Sequence, residues 1–205
     1  MSEAAIAVPG PRIAPYTVDD LFEMPDDGNR YEVLGGSLVV SPAPTPRHQL
    51  AADALCRTLW AIKPVGTTVL TAVAVRMPDG DGPIPDVVVM TADPQTCGGA
   101  VPHQLVHTVV EVVSPSHALV DRAYKRELYA EAGIPCYWRV ELEPWRAYQG
   151  PVPLVVVRVL TADGWHAVEV AAGTNGTLPL AVARQSSAPS SAARRSSNMV
   201  TLVGC

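Results

Sequence analysis

Short apolar runs alternate with proline- and glycine-rich breaks along most of the chain, and the period inside each run changes from one element to the next. Thr17 precedes Val18-Asp19-Asp20-Leu21-Phe22, an N-cap with acids in the first turn of a short helix that Pro25 to Gly28 closes. Tyr31–Leu34 and Ser37–Val40 flank Gly35-Gly36, which predicts a hairpin with a two-residue connection. From Pro46 to Lys63, Leu50, Ala51, Ala54, Leu55, Leu59 and Ile62 recur at helical spacing and predict a helix buried on that face. Pro64 and Gly66 stop it. Thr67–Val75, Ile84–Met90 and Leu105–Val113 predict strands, the last apolar on both faces and therefore buried. A helix from Ala118 to Ala132 ends at Gly133 and Pro135. Cys136–Glu141 predicts one more strand. Leu154–Leu160 and Trp165–Val170 predict a terminal hairpin across Thr161-Ala162-Asp163-Gly164. This order predicts an α/β domain, a twisted mixed sheet of about five or six strands with helices on its faces.

The ends break the pattern. Residues 1–15 hold three prolines and a glycine and predict an irregular arm. After Val182 the composition turns to Ser, Ala and Arg. Gln185–Asn198 has no periodicity to bury, and Met199–Val203 is a small apolar patch. One domain over 16–180 with a disordered tail over 181–205 is the expected organisation, and 205 residues give it room for a real core.

Charge and cysteine content narrow the function. Four cysteines, Cys56, Cys97, Cys136 and Cys205, are widely separated with no C-x-x-C, so free thiols are expected rather than a zinc or redox site. No apolar stretch approaches the roughly 20 residues that span a bilayer, and Met1–Gly10 lacks the charge and apolar run of a secretory signal. A cytoplasmic protein without membrane contact is expected. The net charge is −5, and without Arg184, Arg194 and Arg195 of the tail 12 basic residues face 20 acidic ones, a balance of −8. There is no basic stripe of the kind that drives non-specific DNA binding.

Four positions carry candidate chemistry. Pro85-Asp86 puts a carboxylate where a strand opens, and Glu111 interrupts the apolar run Val109–Val113. Burying a carboxylate is costly unless it is paired, hydrogen-bonded or metal-bound. Lys125 lies mid-helix shortly after that strand, and Glu32 lies between apolar neighbours of the first β-run. Each has a plainer reading: Asp86 as a turn cap, Lys125 paired with Asp121 one helical turn away, Glu32 in a surface cross-strand pair, Glu111 in a buried ion pair. Together, two carboxylates, a divalent cation such as Mg²⁺ or Mn²⁺ and a nearby ammonium make the equipment for phosphodiester cleavage. His103 and His107 are four apart, but the strand-like Leu105–Val113 argues against a shared helix face and a zinc pair.

Ordered motifs then resemble one family. Tyr31-Glu32-Val33-Leu34-Gly35-Gly36-Ser37-Leu38-Val39 is similar to a Y-E-L-I-D-G-E-L-V signature, and Ser41-Pro42 with Pro46-Arg47-His48 to an S-P-x-P-x-H segment. Pro85-Asp86-Val87-Val88-Val89 resembles a P-D motif. Glu111-Val112-Val113-Ser114-Pro115-Ser116 resembles E-V-L-S-P-S, and Asp121, Lys125, Tyr129-Ala130, Gly133-Ile134 and Tyr137-Trp138 follow in step. The family is Uma2 (DUF820), a branch of the PD-(D/E)XK nucleases. The resemblance implies a restriction endonuclease-like fold and a metal-dependent endonuclease acting on DNA. Asp86 and Glu111 are implied as metal ligands, Glu32, the extra acid near the metal, as a third, and His48 as a phosphate or metal neighbour. For His48 a surface role at the helix N-terminus is favoured instead. In the wider superfamily the lysine lies two residues after the acid, where this chain has Val113, so Lys125 on the following helix is the implied catalytic lysine. Gly35 and Ser37 replace two acids of the signature, which weighs against a second metal site, and the match fades after Glu143. The acidic body leaves a homodimer or a partner to supply a DNA-binding surface. The alternative is a non-catalytic interaction or regulatory module that keeps the nuclease fold.

Overall fold

The computed structural model describes residues 15–115, 118–172, 176–180 and 198–202. Six strands form the central sheet: β3 (Thr68–Thr71), β5 (Val87–Met90), β7 (Val106–Val112), β8 (Cys136–Glu141), β9 (Leu154–Thr161) and β10 (Gly164–Ala171). Their spatial order is β10-β9-β8-β7-β5-β3, with β7 and β8 parallel and every other neighbour antiparallel. The parallel pair needs a crossover, supplied by the helical segment from Val120 through α2 (Lys125–Glu131). Outside this sheet, β1 (Arg30–Leu34) and β2 (Ser37–Ser41) make the N-terminal hairpin, and β4 (Ala74–Arg76) pairs in parallel with β6 (Ala100–Pro102). At Gly35 and Gly36 φ is +59° and +67°, the left-handed pair that a two-residue hairpin turn requires.

Alternation along the central strands divides the core into two layers. Val87, Val89, Val110, Val112 and Trp138 pack with Leu59 of α1 (Pro46–Ile62). Val88, Met90, Val109 and Tyr137 pack with Leu128 and Tyr129 of α2. All seven residues of β7 are buried, so its one acid, Glu111, lies in the driest part of the molecule. Each fully buried valine or leucine contributes about 1.5–3 kcal/mol relative to exposure, which gives this strand pair its rigidity.

Several expectations are corrected. The buried face of α1 runs through His48, Ala52 and Leu59, with Leu55 and Ile62 partly buried, while Leu50 is 66% exposed and Ala54 is exposed. That face carries His48 inward, where its ring reaches the Val112 carbonyl. The run Thr67–Val75 divides into β3 and β4 at Ala72, the one described non-glycine residue with positive φ (50°). The second strand starts at Val87, so Asp86 precedes the ladder. The expected helix after β7 begins as a wider π-helical turn, Val120–Tyr124, a form found often at functional sites. The short helix after Thr17 is 3₁₀, Val18–Glu23, with the Thr17 backbone N–H donating to Asp20 at 2.7 Å.

The terminal hairpin matches its prediction. Gly176–Leu180 and Asn198–Leu202 pair as strands β11 and β12, so the apolar patch near the end of the tail forms a strand rather than disorder, its backbone groups satisfied by β11. The low-complexity stretch before it and most of the N-terminal arm lie outside the described residues. No described helix is long and apolar enough to cross a membrane.

Candidate active site

The sequence-predicted residues converge on one cavity of about 380 Å³, lined among others by Arg30, Glu32, His48, Asp86, Glu111 and Lys125. It opens where β5 begins and β7 ends, between the N-terminus of α1 and the start of α2. Ordinary sheet geometry brings its acids close. β5 and β7 pair antiparallel with Val87 opposite Val110, so the next step along each strand carries Asp86 and Glu111.

Asp86 leaves the ladder there. Its Oδ2 accepts the Val112 backbone N–H at 2.8 Å, and Oδ1 accepts Arg30 Nη1 at 3.1 Å. His48 Nε2 lies 3.3 Å from Oδ2 and 2.8 Å from the Val112 carbonyl, so the ring bridges α1 to the end of β7. Burial pushes the Asp86 carboxyl up, yet His48, Arg30 and the Val112 N–H outweigh it and hold the group below the usual carboxylate range. The hydrogen bond to Asp86 raises His48 in turn, against its own burial. His48 is therefore a buried neighbour of the acid, not the surface residue favoured from sequence.

Glu111 has the opposite surroundings. Its Oε1 accepts the Tyr129 hydroxyl at 2.6 Å and lies 3.0 Å from Lys125 Nζ. Burial dominates and pushes its carboxyl up to about 8; Lys125 opposes this, while Asp121, Asp86 and Glu32 add to it. Lys125 Nζ also donates to Glu32 at 2.9 Å and stands 3.7 Å from Asp121. Burial alone would lower the lysine, but the Glu111, Glu32 and Asp121 carboxylates raise it well above its ordinary value, so it stays charged. Glu32 is fixed from its other side by the Ile84 backbone N–H at 2.6 Å. The plain reading of Lys125, a pair with Asp121, is present but is the longest of its three contacts.

Other participants were not picked out from the sequence. Arg30 begins β1 two residues before Glu32, on the same side of the strand by alternation, and also donates to the Ile84 carbonyl at 2.7 Å. Tyr129 follows Lys125 by one helical turn, so its position on the same face was readable as spacing. Asp81 accepts the Gly35 and Gly36 backbone N–H groups at 2.5 and 2.9 Å and lies 3.3 Å from the Tyr124 hydroxyl, tying the β1–β2 turn to the residue before Lys125. No local signal marks it, because its partners are 46 and 43 residues away. On the outer wall Arg122 grips Glu141 with two 2.8 Å bonds and lies 4.6 Å over the Trp145 ring. His103 and His107 have separate structural partners, the Arg76 carbonyl and the Thr91 hydroxyl.

The oxygen donors suit a hard divalent cation in kind: the Asp86 and Glu111 carboxylates and the Val112 carbonyl lie at one end of one cavity. Among the described residues no group of three His, Cys, Asp or Glu side chains converges as a ligand set. The acids instead carry the protein's own cations, Arg30 on Asp86 and Lys125 on Glu111 and Glu32. An incoming metal ion therefore competes with these two side chains.

A helix-flanked mixed sheet, with two acids where its middle strands meet and a lysine on the crossover helix, defines a protein of the restriction endonuclease-like class. Residues 18–175 match the Uma2 family, described as "Putative restriction endonuclease", and the chain belongs to that family. Among solved structures it is similar to "a putative nuclease belonging to DUF820 from Anabaena variabilis ATCC 29413", with a TM-score of 0.57 and 14% identity. That likeness covers 76% of this chain and 84% of the other, and it supports the fold. No curated protein matches.

Proposed function

We propose that this protein is a Mg²⁺- or Mn²⁺-dependent endonuclease that hydrolyses phosphodiester bonds in DNA. The observation that carries the reading is Lys125, fully buried yet charged, held 2.9 Å from Glu32 and 3.0 Å from Glu111 in the cavity that Asp86 enters. Burying an ammonium among the acids that face it costs several kcal/mol unless geometry compensates, which a fold without use for them has little reason to retain. Asp86 and Glu111 are the residues that would hold the cation, and Glu32 orients Lys125. The chemistry such a cation would supply when bound is polarisation of a phosphoryl oxygen and acidification of a water. Lys125 supplies a fixed ammonium for charge developing on the phosphate oxygens, already stripped of water and so needing no reorganisation. Arg30 and His48 keep Asp86 ionised. Tyr129 fixes the Glu111 carboxyl so that it faces the lysine.

One observation favours a second reading, a non-catalytic interaction module: both acids are already neutralised by side chains of the chain itself. Cleavage separates the two. Plasmid and oligonucleotide hydrolysis in Mg²⁺ or Mn²⁺ is expected for the wild type and is expected to fall at least a hundredfold in Asp86→Asn, Glu111→Gln and Lys125→Met, the order of loss when one transition-state donor is removed. Folded wild type without metal-dependent cleavage of any DNA would leave the interaction module.

A further inference from the structure

A second groove, of about 600 Å³, lies on the far side of the Arg30–Asp86 pair, and both residues line the two cavities. The ion pair is thus a partition between the candidate active site and a surface of different chemistry. Phe22, Tyr31, Ile84 and Gly99 are among the residues that line this second groove. Phe22 is the only phenylalanine in the chain, and it is 53% exposed. The ring rests on Gly99. A Cβ added at Gly99 would stand 2.5 Å from the ring, so the missing side chain at 99 is what lets the ring lie against the backbone there. An aromatic seated in this way presents apolar surface to solvent beside the charged partition.

We propose that this groove binds an unstacked nucleobase adjoining the phosphodiester in the active site, with Phe22 as its stacking platform. The inference rests on the nuclease reading and names the form of nucleic acid it acts on: single-stranded or locally unpaired. Base–aromatic stacking works on any base because every base has a π-face, but the base must first be unstacked. Arg30, 26% exposed and paired with Asp86, lies between the cavities where the backbone linking the two would pass. The groove's volume is ordinary for a small organic ligand.

The test is binding by the full chain in EDTA, where hydrolysis is suppressed, to a short single-stranded oligodeoxynucleotide carrying 2-aminopurine and to a duplex of equal length. Single strand is expected to bind more tightly than duplex, with the aminopurine fluorescence quenched by stacking. Phe22→Leu, which keeps apolar bulk but no π-face, is expected to weaken single-strand binding about tenfold, and Phe22→Tyr to restore it. The rescue by tyrosine separates stacking from a folding defect. Wild-type binding by Phe22→Leu, a preference for duplex, or no oligonucleotide binding at all would overturn the proposal. Failure of the nuclease reading looks different: quenching that depends on Phe22 in a protein that never cleaves in Mn²⁺ leaves the base site standing and removes the hydrolysis. Cleavage with an unchanged KM in Phe22→Leu does the reverse.

Discussion

Asp86 and Glu111 come within one strand step of each other, yet their surroundings hold them in opposite states. Asp86 stands at a strand entrance among donors from three elements: Arg30 of β1, His48 of α1 and the Val112 backbone of β7. Glu111 stands inside β7, where it meets a tyrosine hydroxyl and a lysine it shares with Glu32. The first acid is held below the usual carboxylate range and the second is pushed up to about 8. The comparison teaches that the same side-chain chemistry becomes an anchored anion or a proton-holding acid according to how many donors reach it before the core closes. An active site that uses both has one ligand ready at neutral pH and one that ionises when a cation arrives.

Removing Lys125 should sharpen that contrast most. Lys125→Met leaves Glu32 and Glu111 buried without their cation, and roughly 3–5 kcal/mol of stability is expected to go. For a domain of this size that is a fall of about 10 °C or more in Tm by scanning calorimetry. At pH 9, above the raised Glu111 value, Lys125→Met combined with Glu111→Gln should recover part of the loss, since the buried charge leaves with its partner. A double variant no more stable than the single one would mean that Glu111 is not the group Lys125 stabilises.

Glu111 gives the next largest effect, with a definite sign. Its folded pKa lies above the value of 4.5 expected when unfolded, so between about 4.5 and 8 the folded state binds a proton that the unfolded state does not. Stability from this group is full below that window and is lost as pH rises through it. Chemical denaturation of wild type and Glu111→Gln from pH 5 to 9 should show the difference shifting toward the variant by on the order of a few kcal/mol as pH rises. A constant difference contradicts the raised value.

The Asp86 side should respond differently. Asp86→Asn removes an acid that holds His48 up, so the His48 pKa, read by NMR titration, should fall toward or below its ordinary range. The stability loss should be smaller than for Lys125→Met, about 1–3 kcal/mol, because Arg30 is partly solvated and can turn to water. The smallest expected effect is at Ala72, whose left-handed backbone donates to the Asp86 carbonyl at 3.3 Å. Ala72→Gly should be neutral or stabilise by up to about 1 kcal/mol.

Much of this was readable along the chain, and the unreadable part has a common cause. The hairpin turn at Gly35-Gly36, the all-buried β7 and the parallel β7–α2–β8 unit follow from local pattern, because glycine pairs, unbroken apolar runs and helix stops act over a few residues. Asp86, Glu111 and Glu32 were marked as candidates because each sets a charge in or beside an apolar run, and Lys125 because it lies on the helix that follows the Glu111 strand; the structure brings all four to one cavity. The inward turn of His48 was hidden because helical spacing alone favoured Leu50, while the Val112 carbonyl that draws the ring in is 64 residues away. Arg30 and Asp81 were hidden for the same reason. Surface-looking polar residues become site residues through partners that only the tertiary fold supplies. The β4–β6 pair was missed because three-residue strands fall below what periodicity can resolve.

The central claim is that Asp86 and Glu111 together hold a divalent cation for hydrolysis. Calorimetric titration of Mn²⁺ into wild type, Asp86→Ala and Glu111→Ala, with plasmid nicking followed on the same samples, tests it most directly. Saturable binding by wild type, lost in both variants together with metal-dependent nicking, is the predicted result. Folded wild type that binds no Mn²⁺ at millimolar concentration would contradict it and leave Glu111 and Lys125 as a structural ion pair.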